Sequence, residues 1–225
     1  LSFAIEKLTT EQHRILNAFD ANPKISLTGP AGSGKTIAGI RYAKQTIESG
    51  QSVLIVAPHQ DDETIGCGGV MALQVKSGKQ VQIVLVQDGA DGFEETGMSR
   101  AQLVELRNEE SRRAARVLGL EPRFLSYPNL RESAPQAIAA LARIIAESKV
   151  DAVFTPYLLD GHVDHRSTNF ILAEALKQIN RPVRVLGYEV WGLCLPNVMV
   201  NIDSVMENKL EMLRCFTFAN QALDY

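Results

Sequence analysis

The sequence predicts a three-layer α/β fold built on a mostly parallel sheet. Short, mainly apolar runs of strand length recur along the chain, at VLIVA, VQIVLV, AVFT and VRVLGYEV. Segments of helical length separate them, and several close on glycine. Such runs suit strands that helices cover on both faces.

The elements follow in order. Thr9 and Glu11 open a first helix with apolar positions at Ile15, Leu16 and Phe19. Residues 25–28 form a short strand, 29–34 a glycine-rich turn, and 36–48 a helix that Gly50 ends. Residues 53–57 are a buried strand, 63–76 a helix stopped at Gly78, and 81–86 another strand. A glycine- and acid-rich loop, 88–97, leads into a charged helix over 99–118. Strands are expected at 124–127, 152–155, 183–190 and 198–202, with helices at 135–148, 165–179 and 205–216. The whole is a Rossmann-like sandwich extended by an N-terminal strand–loop–helix unit, and its ligands belong at the carboxyl ends of the strands.

Bulk properties narrow the function. A net charge of −3 offers no broad basic field for nucleic acid. No apolar run approaches the ~20 residues that span a bilayer, and the N-terminus lacks the pattern of a signal peptide. Three cysteines without CxxC spacing argue against a disulfide scaffold or a thiolate metal site and fit a reducing cytoplasm.

Two stretches carry chemistry. GPAGSGKT matches the phosphate-loop pattern between a predicted strand and helix. Gly29, Gly32, Ser33 and Gly34 would wrap backbone N–H groups around phosphate, Lys35 would reach the terminal phosphates of ATP, and Thr36 would hold Mg²⁺. With LTTEQHRILNAF before it, this stretch, about residues 8–57, resembles the opening of a superfamily 1 DNA helicase motor. Such motors also need an acidic Walker B pair and a second motor lobe. Asp88 in VLVQDG is a lone acid, and too little chain remains, so a working helicase is not expected.

The second stretch is HQDDE, residues 59–63, just past a strand. DGHVDH, residues 160–165, follows another strand about a hundred residues later. In a parallel sheet both clusters share the carboxyl edge. Two histidines and a carboxylate make a common open zinc site, and a nearby carboxylate outside the ligand set can take a proton from water. Either cluster alone also fits a capped helix start, because Asp61 and Asp62 suit a helix N-terminus.

From about Ser52 onward the chain resembles the PIG-L/LmbE-like family of zinc-dependent N-acetylglucosaminide deacetylases. The resemblance rests on APHQDDETIGCGG, VLVQDG, ELRNEESRRAARVLGL, TPYLLDGHVDHR, YEVW and NKLEMLRCF, in that order. It implies His59, Asp62 and His165 as zinc ligands and Asp61 as general base. It implies His162 as the oxyanion donor and Asp164 as the residue orienting the His162 ring. Arg107 stands where some members have an arginine that contacts substrate; pairing with Glu105 or Glu110 along the helix is the plain alternative. Gln60 replaces the family's usual proline, and the chain stops at ALDY where members often continue, which would leave part of the pocket open. Cys67 is expected as a buried small residue, and Trp191 as core or pocket wall.

The two resemblances meet inside VLIVAP. The expectation is a chimera: a helicase-like P-loop fragment, residues 1–52, packed on the sheet of a deacetylase domain, residues 53–225. The predicted activity is acetamide hydrolysis on an N-acetyl sugar, with a homo-oligomer left open. Two alternatives stand beside it: a nucleotide-binding P-loop protein, and a recombined fold with inherited motifs and little activity.

Overall fold

The computed structural model describes residues 52–194 and 196–223. The chain divides into two compact units, residues 1–50 with 195–200 and residues 51–194 with 201–225. The phosphate-loop residues Gly29, Gly32, Ser33, Gly34, Lys35 and Thr36, and the elements predicted around them, lie outside the described residues.

The second unit holds five strands: β1 (Val53–Ala57), β2 (Val81–Gln87), β3 (Arg123–Tyr127), β4 (Ala152–Pro156) and β5 (Arg184–Tyr188). Every pairing is parallel, in the order β3-β2-β1-β4-β5. The helices are α1 (Asp62–Lys76), α2 (Arg100–Arg116), α3 (Ala134–Ser148), α4 (Val163–Leu176), α5 (Met206–Arg214) and α6 (Thr217–Leu223). Among them no helix is long and apolar enough to cross a membrane.

Alternation along the strands builds two cores. Val53, Ile55, Ala57, Ile83 and Leu85 face one side, with Cys67 and Met71 of α1, Ala114 of α2 and Met212 of α5. Leu54, Val56, Val84, Val86 and Val153 face the other, with Leu141 and Ile145 of α3 and Ile171 and Leu172 of α4. Both faces of β1 are thus covered, which is why its run is apolar throughout. Cys67 is buried as expected, and burial pushes its thiol up, so it stays neutral.

Local signals set the helix ends. Ser99 and Gln102 form the capping box that starts α2: Ser99 N donates to Gln102 Oε1 at 2.9 Å, and Gln102 N donates to Ser99 Oγ at 3.4 Å. Gly78, at φ 71°, ends α1 in the left-handed conformation that glycine adopts without strain.

Two expectations are corrected here. Residues 198–202 carry no strand: Asn201 Oδ1 accepts from Asp203 N at 2.8 Å, an Asx turn that leads into a 3₁₀ turn at Asp203–Val205. The last helix also breaks at Cys215, and α6 follows as a separate element.

Gly66 on α1 lies under the ring of Tyr188. A Cβ there would sit 2.2 Å from Tyr188 Cδ2, and Tyr188 cannot retreat, because it is buried and its hydroxyl donates to Val56 O at 3.0 Å. Alanine gains about 1 kcal/mol of helix propensity over glycine, but overpacking of a buried ring costs about 1–3 kcal/mol. Gly66→Ala is therefore expected to lower stability in denaturant unfolding despite the better helix former.

Candidate metal centre at the carboxyl edge

The chain runs from β1 outward to β2 and β3, then crosses to β4 on the other side of β1. The order reverses between β1 and β4. Such a reversal opens a crevice beyond the carboxyl ends of the two strands, the usual ligand site in open α/β sheets. His59 to Glu63 leave β1 there, and Asp160 to His165 leave β4. The sheet therefore brings the two clusters together.

In the first loop, His59 N and His59 Nδ1 each lie 3.0 Å from Asp62 Oδ2. Asp61 has φ 148°, a backbone region that side-chain-bearing residues avoid. Surrounding bonds impose it. Arg107 Nη2 donates to Gln60 O at 2.8 Å and to Asp61 Oδ2 at 3.2 Å. Asp61 N donates to Glu63 Oε2 at 3.1 Å, and Asp61 O accepts from Thr64 N and Ile65 N, both at 2.8 Å.

In the second loop, His165 is fully buried, with Nε2 3.3 Å from Asp62 Oδ2 and Nδ1 3.3 Å from Asp160 Oδ2. Neither ring nitrogen has a hydrogen bond. The Asp160 carboxylate accepts from His162 N at 2.9 Å, Trp191 N at 3.1 Å and Gly192 N at 3.3 Å. His162 Nδ1 accepts from Asp164 N at 3.2 Å; a backbone N–H can only donate, so the neutral ring carries its proton on Nε2.

This arrangement fits a metal ion. Zinc bonds of about 2.0–2.1 Å in a tetrahedron put neighbouring ligand atoms about 3.3 Å apart. The separations of Asp62 Oδ2 from His59 Nδ1 and His165 Nε2, 3.0 and 3.3 Å, match that edge. The ring nitrogens of the fully buried His165 have no hydrogen-bond partner, and a cation would give one of them its partner. His59, His162 and His165 can each offer an atom within 4.8 Å of the others, a looser set. Asp62 completes the tighter one, while the His162 side chain is 39% exposed and its Nδ1 is already engaged.

The charges show the same demand for a cation. Burial opposes a charge on His59, but bonds to Asp164 and Asp62 and attraction by Asp62 and Asp61 push it up to about 10. Burial also works against Asp62, yet His165 and His59 hold it far below the carboxylate range. Burial pushes Asp61 up to about 6, with Arg107 pulling the other way. Glu63, buried beside Asp61, is pushed up to about 7.

The structure thus gathers His59, Asp61, Asp62, His162 and His165 in one crevice. The role expected of Asp164 changes. Its carboxylate stands 3.9 Å from His162 Nδ1, beyond hydrogen bonding, and lies instead 3.4 Å from His59 Nε2 and from Gln87 Nε2. Its backbone N–H orients His162. Arg107 does not pair along its helix with Glu105 or Glu110, nor does it line an open surface; it is 3% exposed, with Nη2 against Asp61 Oδ2. Asp88, the lone acid of VLVQDG, is gripped by Arg100 with two bonds of 2.8 Å. Trp191 is 54% exposed rather than core. Gln60 replaces a proline without opening the loop: its amide donates to Asn108 Oδ1 at 2.8 Å and Asp88 O at 3.1 Å. Sequence reasoning missed Asp160 and Glu63. The signal for Asp160 was its place in DGHVDH, a carboxylate five residues before His165.

A parallel α/β sheet with histidines and carboxylates gathered at its switch point defines the class of LmbE-like deacetylase folds. This chain belongs to the PIG-L family: the family model for GlcNAc-PI de-N-acetylase matches residues 54–176. Diacetylchitobiose deacetylase of Thermococcus kodakarensis is 29% identical over 184 residues, covering 73% of this chain and 68% of that protein. The structure of N,N'-diacetylchitobiose deacetylase from Pyrococcus horikoshii superposes with a TM-score of 0.67 at 24% identity, covering 84% of this chain and 80% of that one. The hydratase GalB from Pseudomonas putida superposes at 0.65 with 20% identity, covering 78% and 82%. The fold therefore hosts more than one reaction, and the site must argue the activity. The family match begins at Leu54, downstream of the phosphate-loop motif, so it lends nothing to the nucleotide-binding or chimera readings.

Proposed function

We propose that this chain is a zinc-dependent N-deacetylase, hydrolysing the acetamide of an N-acetylglucosamine-type substrate to acetate and a free amine. The observation that carries it is the convergence of His59 Nδ1 and His165 Nε2 on Asp62 Oδ2, with the Asp61 carboxylate next in the chain.

His59, Asp62 and His165 would hold the ion and leave one position open. Zinc bound there lowers the pKa of water toward ~7 and polarises a carbonyl. Asp61, fixed by Arg107, takes the proton of the attacking water and returns it to the leaving amine. His162, with its proton on Nε2, donates to the oxygen that becomes negative as the amide carbon turns tetrahedral. Asp164 steadies the far nitrogen of His59, and Asp160 that of His165, each turning a ring so that its other nitrogen faces the centre.

Protein purified without added metal is expected to hold about one zinc per chain and to release acetate from an N-acetylglucosamine derivative. Chelation should abolish the release, and zinc should restore it. Protein that binds no zinc at any concentration would overturn the reading.

A further inference from the structure

We infer that Phe93 and Phe218 position the general base, acting through Arg107. The inference rests on Asp61 being that base.

Asp61 sits in a strained backbone conformation, so something must hold it there. Among the described residues, the Arg107 side chain is the one that bonds both Gln60 O and Asp61 Oδ2, and it does so through a single nitrogen, Nη2. Both bonds therefore come from one end of the guanidinium. Its Nε makes no hydrogen bond. The ring of Phe93 supports the rest of the plane, with Arg107 Cζ 5.0 Å from its centroid, within cation–π range.

Phe93 is itself held. Its carbonyl accepts from Thr96 N at 3.1 Å and Thr96 Oγ1 at 2.7 Å, and its ring packs with Ala90 and Leu103. The Phe218 ring of α6 lies against it, with centroids 5.1 Å apart. Phe218 is anchored in turn by Glu110, whose Oε1 accepts from Phe218 N at 2.6 Å and Thr217 Oγ1 at 3.1 Å. Glu110 stands one turn beyond Arg107 on α2. That helix therefore carries both the arginine that holds the base and the anchor of the helix whose Phe218 backs Phe93. Phe218, Phe93 and Arg107 thus link α6 to the Asp61 carboxylate.

The test replaces the ring and keeps the bulk. Phe93→Leu is expected to lower kcat about five- to thirtyfold, the range of a desolvated cation–π contact. KM and zinc per chain should stay within about twofold of the parent. Phe93→Tyr, which keeps the ring, should retain most of kcat, and Phe218→Leu should fall between the two. Arg107→Lys keeps the charge but loses the planar fork. If Phe93 acts through Arg107, the double variant F93L/R107K should be no slower than R107K alone. Circular dichroism on each variant checks folding. An active parent with F93L undiminished, or with losses that add in full in the double variant, overturns this inference alone. A parent that releases no acetate sinks the deacetylase reading and this one together.

Discussion

Replacing Asp61 by asparagine is expected to cut kcat by about a hundred- to ten-thousandfold, the usual contribution of a positioned proton-transfer group. Asparagine keeps the shape, and its Oδ1 can still accept from Arg107 Nη2, now 3.2 Å from the carboxylate. Alanine would be a poorer probe. It would leave a guanidinium that is 3% exposed without its partner, and breaking a buried pair from one side costs about 3–5 kcal/mol. D61N should keep about one zinc per chain, because Asp61 lies outside the proposed ligand set. Acetate release and metal analysis on the same sample decide the matter. Loss of metal with the activity would make Asp61 a ligand. Full activity would move the base elsewhere, yet the obvious rival is badly placed. Both Glu63 oxygens are occupied, by Asp61 N on one side and by Thr64 Oγ1 and Ser111 Oγ on the other.

Most of the sheet was legible because burial on both faces leaves a plain mark. VLIVA has no polar residue, and it is the central strand. The meeting of HQDDE and DGHVDH was legible too, from the rule that parallel strands share a carboxyl edge. The strand order was not. Only the observed crossing from β3 to β4 shows that the two loops flank the switch point. VMVNI misled because an apolar run gives no sign of whether a partner strand awaits it. The division of labour at Asp164 was equally hidden: one residue uses its backbone on His162 and its side chain on His59, and spacing cannot separate the two. Arg107 reads from the sequence either as a substrate contact or as a surface residue on a charged helix, and only the packing of Phe93 and Asp61 around it shows it buried behind Asp61.

Removing the His165 ring should abolish zinc binding, since His165→Ala leaves two of the three proposed protein ligands. The sharper experiment is Asp160→Asn, which touches no proposed ligand. Burial works against the charge on Asp160, yet the N–H groups of His162, Trp191 and Gly192 and the neighbouring His165 hold its carboxyl below the usual range. Its Oδ1 accepts from His162 N, while Oδ2 faces Trp191 N, Gly192 N and His165 Nδ1. An asparagine must turn its NH₂ group toward one of these sets. Turned toward Oδ2, it opposes the N–H groups of Trp191 and Gly192 and any proton on His165 Nδ1. His165 then escapes only by moving its proton from Nδ1 to Nε2, the nitrogen whose lone pair the metal needs. Turned the other way, it loses the bond that seats His162 at the start of α4. Partners of this kind typically cost 10- to 100-fold in metal affinity when removed. Competition against a zinc chelator should show D160N weaker by that factor, and saturating zinc should restore most of the acetate release. Unchanged zinc affinity in a folded D160N would mean that the His165 tautomer is set by something other than Asp160.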